Sequence, residues 1–502
     1  MKRSMQWTMG LVVALALTSG VRGQQAPVPA PAAAAVAPAQ PAPLTPVQIA
    51  NNAERQRIMK ELKISGIPAL AVNNSPATYD EATANPYPNL PDPLTMKGGQ
   101  KVTSAAMWKK RRAEILEDFE REVYGRRPKT TPKVTWKVVK TEEGKNGDYA
   151  TVTKFLLGHV DNAAYPSVAV EIQAKLTTPA NATGAPVIIQ FGGNFANFPL
   201  PDGVTLPPNP CFTPPPAGAV GPGRGNAPAG PPPQAGLTAQ QQLLAKGWGY
   251  ADMNPGSIQG DCGAGLTAGV VGLVNKGQPR KLDDWGALSA WGWGASRLLD
   301  YLETDKAVDA KRVGVTGHSR YGKAALVGMA LDERFAVGFI SSSGQGGAKL
   351  HRRKYGETIE NVAMNFYHWM ASNYLKYTGR WDQMPVDSHE LIALCAPRPV
   401  FVSAGNSPGP VNADGTVPAN DAWVDARGSF LAEVGAGPVY KLLGKKDLGT
   451  TTFPAIDTRL TEGDLGFHQH TLGHVQTPAW PSFIQFASKY WDTSKPTATA
   501  SR

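Results

Sequence analysis

The chain has 502 residues, 42% of them hydrophobic, enough to bury one large core or two ordinary ones. Its formal charge is +10, and setting aside Lys2, Arg3 and Arg22 of the leader, where no acid stands, leaves +7. That excess is spread without a dense basic block, which argues against a nucleic-acid partner and leaves an anionic substrate open.

Residues 1–23 read as a secretory signal peptide: Lys2 and Arg3, an apolar core around Leu11–Leu17, then small residues near Gly23. The apolar run is too short to span a bilayer, so export to the periplasm or the medium is expected, with no membrane partner. Residues 24–46 are rich in Ala and Pro and read as a linker. Helices are expected at Thr45–Leu62 and Ala105–Val123, the second carrying Trp108, Ile115, Leu116, Phe119 and Val123 at helical spacing. Strand patterns follow at Lys133–Val139, Tyr149–Leu157, Ser167–Ala174 and Pro186–Phe191, the last ending in the turn signal Gly192-Gly193-Asn194. Residues 197–238 carry much Pro, Gly and Ala and read as a surface insertion within the domain.

Beyond it come a strand at Gly247–Met253, a helix at Asp283–Leu302, then strand and helix in alternation. These are Arg312–Thr316, Tyr321–Leu331, Ala336–Ser341, Pro399–Ala404, Asp425–Val434, Thr461–His468 and Thr477–Trp491. Strands separated by helices predict parallel pairing with helices on both faces, a three-layer αβα sandwich with a mostly parallel central sheet over residues 47–495. Three cysteines, Cys211, Cys262 and Cys395, cannot all pair within one chain. One bridge, for which Cys211–Cys262 is a candidate, fits an oxidising compartment. No Cys or His spacing resembles a zinc site, and no cofactor is expected.

The segment Gly317-His318-Ser319-Arg320-Tyr321-Gly322 joins a strand to a helix. Small residues two before and three after the serine let the two backbones approach, so Ser319 falls on a sharp corner. It is a variant of the nucleophile elbow, since G-x-S-x-G needs its second glycine one place earlier; the competing reading is a plain Ser/Gly turn. A serine hydroxyl needs a neutral imidazole to take its proton, and that imidazole needs an acceptor on its other nitrogen. His474 lies in a glycine-containing loop after the last strand, whereas His468 and His470 fall on or beside that strand and His318 on the elbow itself. Asp421, Asp425, Asp414 and Asp387 are the acids near the strand Pro399–Ala404, Asp425 also suiting the start of the next helix. The order serine, acid, histidine is that of the α/β-hydrolases.

The run Gly317-His318-Ser319-Arg320-Tyr321-Gly322-Lys323 resembles the G-C-S-R-x-G-K signature of the glucuronoyl esterases, carbohydrate esterase family fifteen. The likeness extends over much of residues 95–492, including Gly344–Gly347, Glu357–Asn361, Cys395–Pro399 and Leu472–Val475. It implies an α/β-hydrolase fold and metal-free hydrolysis of esters between 4-O-methyl-glucuronoyl groups of xylan and lignin alcohols. It further implies Ser319 as nucleophile, His474 as base and Arg320 at the oxyanion. Lys323, Glu357, Asn365 and Trp423 would contact the sugar, Asn365 standing where family members often carry glutamine.

Two departures from the family pattern stand out. Ser342 occupies the place where many members carry the catalytic glutamate, so the acid is expected from the loop after the next strand, with Asp421 chosen. His318 and Val475 stand where fungal members bridge two cysteines. The expected protein is therefore a monomeric serine esterase acting on glucuronoxylan and lignin-carbohydrate esters. Its rivals are an acetyl-xylan or other carbohydrate esterase, and a non-catalytic glycan-binding protein on the same scaffold.

Overall fold

Continuous apolar runs occupy the middle of the molecule. Val187, Ile188, Ile189, Val313, Val315, Val337, Phe339, Phe401 and Val402 are all buried, as strands covered on both faces require. The computed structural model describes residues 44–68, 79–212, 236–406 and 421–491. Among them ten strands form one sheet: β1 (Val134–Asn146), β2 (Tyr149–Val160), β3 (Glu171–Pro179), β4 (Ala185–Phe191), β5 (Gly249–Met253), β6 (Val308–His318), β7 (Val337–Ser341), β8 (Val400–Ala404), β9 (Arg459–Leu460) and β10 (Leu465–Gln469). Their order is β1-β2-β3-β5-β4-β6-β7-β8-β10-β9.

The run from β5 through β4, β6, β7 and β8 to β10 is parallel. The sheet is mostly parallel, as expected, and turns antiparallel only at the two edges, where β1, β2, β3 and β5 pair antiparallel and β9 runs against β10. The cause at the first edge is local. Gly147, at φ 62°, and Asp148 close a two-residue hairpin that pairs Asn146 with Tyr149. The same pairing draws the polar stretch Lys140–Asn146 into β1, beyond the expected end at Val139.

Side chains alternate between the sheet's faces. Ile188, Val337, Phe339 and Phe401 meet the helices Ala239–Ala245 and Trp480–Trp491, with the Phe339 and Phe483 rings stacked at 4.7 Å. Val187, Ile189, Val313, Val315 and Val402 belong to the larger core opposite. There the helices Ala287–Leu302 and Arg320–Leu331 cross at Gly292 and Gly328, where a Cβ on Gly292 would stand 2.9 Å from the Gly328 Cα.

The helix Ala105–Phe119 is capped by Ser104 and widens into a π-turn at Glu120–Tyr124. The helix expected to stop at Val434 runs from Ala426 to Leu442, through Gly435, Gly437 and Pro438. Burial overrides those breakers, since Ala432, Ala436, Val439 and Tyr440 are all in the core. Short helices at Gly269–Val274, Ile359–Asn365 and Ser388–Ala393 span too few turns to leave a period in the sequence. Cys211 and Cys262 form a disulfide, and Cys395 is a buried free thiol. No helix among the described residues is long and apolar enough to cross a membrane.

Replacing both bridged cysteines by serine is expected to lower stability by about 2–4 kcal/mol, read by denaturant unfolding. Glu433 offers a pH-dependent test. It is fully buried, and burial holds its pKa well above the ordinary carboxylate range, opposed only in part by the Gly466 backbone N–H. The folded state therefore keeps a proton that the unfolded state gives up, so this group lowers stability progressively as pH rises above its unfolded value. Glu433→Gln is expected to raise the melting temperature at pH 8 and leave it nearly unchanged at pH 4.

Candidate active site

The elbow follows from packing. β6 lies at the centre of the sheet and hands the chain directly to the helix Arg320–Leu331. A Cβ on Gly317 would come within 2.1 Å of the Tyr321 carbonyl oxygen, and one on Gly322 within 2.7 Å of the Ser341 carbonyl oxygen. Only hydrogen fits at either place. Between them Ser319 adopts φ 59° and ψ −130°, a conformation that costs a non-glycine residue about 1–3 kcal/mol. The turn is held by the Ser319 N–H donating to the Ser341 carbonyl at 2.9 Å and the Lys323 N–H to the Ser319 carbonyl at 3.2 Å. Ser319 makes no side-chain cap with the helix it precedes. Its hydroxyl is thus not spent on the helix end, and it stands at the positive end of the helix dipole. A cavity of about 280 Å³ opens there, lined by Gln190, Phe191, His318, Ser319, Arg320 and Gln476 among others.

His474 comes from the loop after β10. Its ring lies 4.3 Å, centroid to centroid, from that of His318, which sets the imidazole beside the elbow. Nδ1 is 2.6 Å from Asp421 Oδ1. The other Asp421 oxygen accepts from the Gly405 N–H at 2.6 Å and from the Ser342 hydroxyl at 2.5 Å. The carboxylate is buried and anchored on both oxygens, and by holding Nδ1 it fixes which imidazole nitrogen faces away from it. The serine at the glutamate's place thus bonds to the aspartate. Its φ of 44° keeps that strand end in the left-handed region. Burial and the neighbouring His474 push the His318 pKa down to about 4, so its ring is neutral at physiological pH.

Arg320 extends its guanidinium to Asp261, with Nη1 2.6 Å from Oδ2, and lies over the Phe366 and Trp369 rings at 5.9 and 5.4 Å. Lys323, expected as a sugar contact, is 1% exposed. Its ammonium donates to the Ser343 carbonyl at 2.5 Å and to Glu357 Oε2 at 2.9 Å, and lies 5.5 Å from the Trp369 ring centroid. Burial lowers its pKa, opposed by the paired Glu357. Glu357 Oε2 also accepts from the Gln345 N–H. The Trp423 ring packs on His474 at 4.8 Å, and its carbonyl accepts from the Glu357 N–H at 2.8 Å. Imidazole, indole and the Lys323–Glu357 pair are thereby linked in one wall.

The remaining expectations separate cleanly. Asp425 is fully buried, caps the helix Ala426–Leu442 by accepting from the Gly428 N–H, and pairs with Arg353 at 2.7 Å. Asp387 caps the helix Ser388–Ala393 and takes donors from His351 and Arg352. Neither faces His474, and Asp414 lies outside the described residues. His468 bonds Asp457 and Ser482, and His470 bonds the Val475 carbonyl. Asn365 is exposed at the end of Ile359–Asn365, one residue before Phe366. Sequence reasoning missed Asp261, His368 and Trp369, which no motif joins to the elbow. Among the described residues no group of three or more His, Cys, Asp or Glu is placed to hold a metal ion.

Comparison with known proteins fits this geometry. Residues 280–424 match the family model described as glucuronyl esterase of fungi. A carbohydrate esterase from an unknown prokaryotic organism is 33% identical over 82% of this chain and 91% of its own. A 4-O-methyl-glucuronoyl methylesterase of Podospora anserina is 27% identical over 66% of this chain and 57% of its own length. The solved structure of a CE15 glucuronoyl esterase from Teredinibacter turnerae superimposes with a TM-score of 0.73 at 35% identity, covering 88% of this chain and all of that one. With a third of its residues shared over nearly the whole of a prokaryotic carbohydrate esterase, and this fold, the chain belongs to carbohydrate esterase family 15, the glucuronoyl esterases.

Proposed function

We propose that this protein hydrolyses esters of 4-O-methyl-glucuronoyl groups carried on xylan, including those to lignin alcohols, through a Ser319-bound acyl intermediate. The observation that carries the reading is the 2.6 Å contact between His474 and the buried, doubly anchored Asp421, with the imidazole set beside an uncapped, strained Ser319. Ser319 Oγ attacks the uronoyl carbonyl while His474 Nε2 takes its proton, and Asp421 holds the Nδ1–H and stabilises the cation formed. The carbonyl π electrons move to oxygen, and that charge develops beside the Arg320 N–H and guanidinium at the helix start. Collapse expels the alcohol, which leaves with the proton from His474. Water then repeats the sequence on the acyl-enzyme, releasing the uronic acid and restoring the serine.

Lys323, Glu357, Asn365 and Trp423 are assigned to the sugar. For Lys323 the bonds to Glu357 and the Ser343 carbonyl leave one of three ammonium donors for a ring hydroxyl, so its role is as much to hold Glu357 as to bind. A wall built to satisfy hydroxyls disfavours esters lacking them. The rival reading of a non-catalytic glycan binder drew on the missing glutamate. Asp421 reaching His474 removes its motive. Export to an oxidising compartment is supported by the Cys211–Cys262 bridge.

Ser319→Ala is expected to abolish turnover of benzyl glucuronate and labelling by a serine-directed phosphonate, while leaving the melting temperature near wild type. Asp421→Ala should lower kcat by roughly 10²–10⁴-fold. Asp425→Ala should act on stability, because it removes the helix cap on Gly428 and one of the two carboxylates paired with the buried Arg353, leaving Glu81, at a cost of about 1–3 kcal/mol. Near-normal kcat in Asp421→Ala, with collapse in a folded Asp425→Ala, would move the acid's role. Faster turnover of acetylated xylan than of benzyl glucuronate would replace the substrate assignment.

A further inference from the structure

Asp261 lies outside the serine, histidine and acid set, yet three side chains of the cleft converge on it. Its Oδ2 pairs with Arg320 Nη1 at 2.6 Å, and its Oδ1 meets Trp369 Nε1 at 2.6 Å and His368 Nε2 at 2.9 Å. Burial alone would raise its pKa, but these donors and the Arg320 charge hold it well below the ordinary carboxylate range. The residue is placed firmly: its neighbour Cys262 is bridged to Cys211, and a Cβ on the adjacent Gly260 would stand 2.7 Å from the Cys211 sulfur. Trp369, held by the same carboxylate, stacks flat on Phe366 at 4.1 Å and lies beneath both Arg320 and Lys323. One anion therefore fixes the guanidinium on the ester side and the indole on the sugar side.

The chemistry gives this pairing a purpose beyond rigidity. The reactive ester carbonyl is neutral, whereas the released uronic acid is an anion at neutral pH. An unopposed arginine 41% exposed at the cleft would attract that anion. A guanidinium already paired with a carboxylate has its orientation fixed for the partial charge developing on the carbonyl oxygen, and less net attraction for a full carboxylate.

We propose that Asp261 is a positioning residue for Arg320 that also weakens retention of the uronate product. This rests on the esterase reading above. Four full-length variants test it beside the wild type, with benzyl glucuronate as substrate and free glucuronate as inhibitor.

Asp261→Asn is expected to lower kcat by roughly 10–100-fold with a much smaller change in KM. Its inhibition constant for glucuronate should fall by roughly 3–10-fold. A merely structural loss would weaken both ligands together. Asp261→Glu keeps the charge on a longer arm, so kcat should fall while glucuronate inhibition stays at the wild-type level. That variant also supplies the readout where the amide folds poorly.

In an Arg320→Ala background, Asp261→Asn should add little further loss, as coupled residues do. Unchanged constants in Asp261→Asn, or full additivity with Arg320→Ala, would sink the inference alone. Absence of turnover by the wild-type chain would sink the esterase reading and this inference with it.

Discussion

The constraint on which the site depends is the backbone of Ser319. A residue with a side chain occupies a conformation that favours glycine, and it stays there because strand β6 and the helix Arg320–Leu331 leave no other path. Gly317 and Gly322 admit the approach, and the Ser341 carbonyl takes the Ser319 N–H. The strain is small beside the core on both faces of the central strands. In return the hydroxyl stands clear of the helix end instead of capping it. Every other functional group is positioned relative to that corner.

The C-terminal ends of neighbouring strands supply the partners. β6 ends at His318 and the elbow, β7 at Ser341 and Ser342, β8 at the segment tied to Asp421 through Gly405, and β10 at the loop of His474. Parallel strands bring these ends to one edge of the sheet, which is where such folds collect their chemistry. The Asn406 N–H donating to the Leu472 carbonyl at 2.7 Å joins the acid's loop to the histidine's. The pair His474–Asp421 is thus two loops clamped together, with Trp423 closing over the ring.

Much of this was legible in the chain. The strand-turn-helix signature around Ser319, the late His474 and the alternation of central elements are local patterns, and burial on both faces writes itself as unbroken apolar runs. The Gly147-Asp148 hairpin was overlooked because the strand after Val139 turns polar, and its pairing is set by register instead of hydrophobicity. Asp421 could not be separated from Asp425 by spacing. Their difference is one of direction, one carboxylate aimed at an imidazole and the other bound to Arg353 and a helix terminus. Asp261 left no signal because it meets Arg320 across 59 residues and Trp369 across 108. The burial of Lys323 was equally hidden, since a lysine on a helix reads as solvated until its neighbours are known.

The hydrogen bond from Ser342 to Asp421 has an electrostatic corollary. A hydroxyl 2.5 Å from the carboxylate marks two backbone positions aimed at a single spot near the imidazole. Two ionised acids could not share that spot without one of them retaining a proton. A hydroxyl at the second position donates to the aspartate instead of competing with it, so a single carboxylate meets the imidazole.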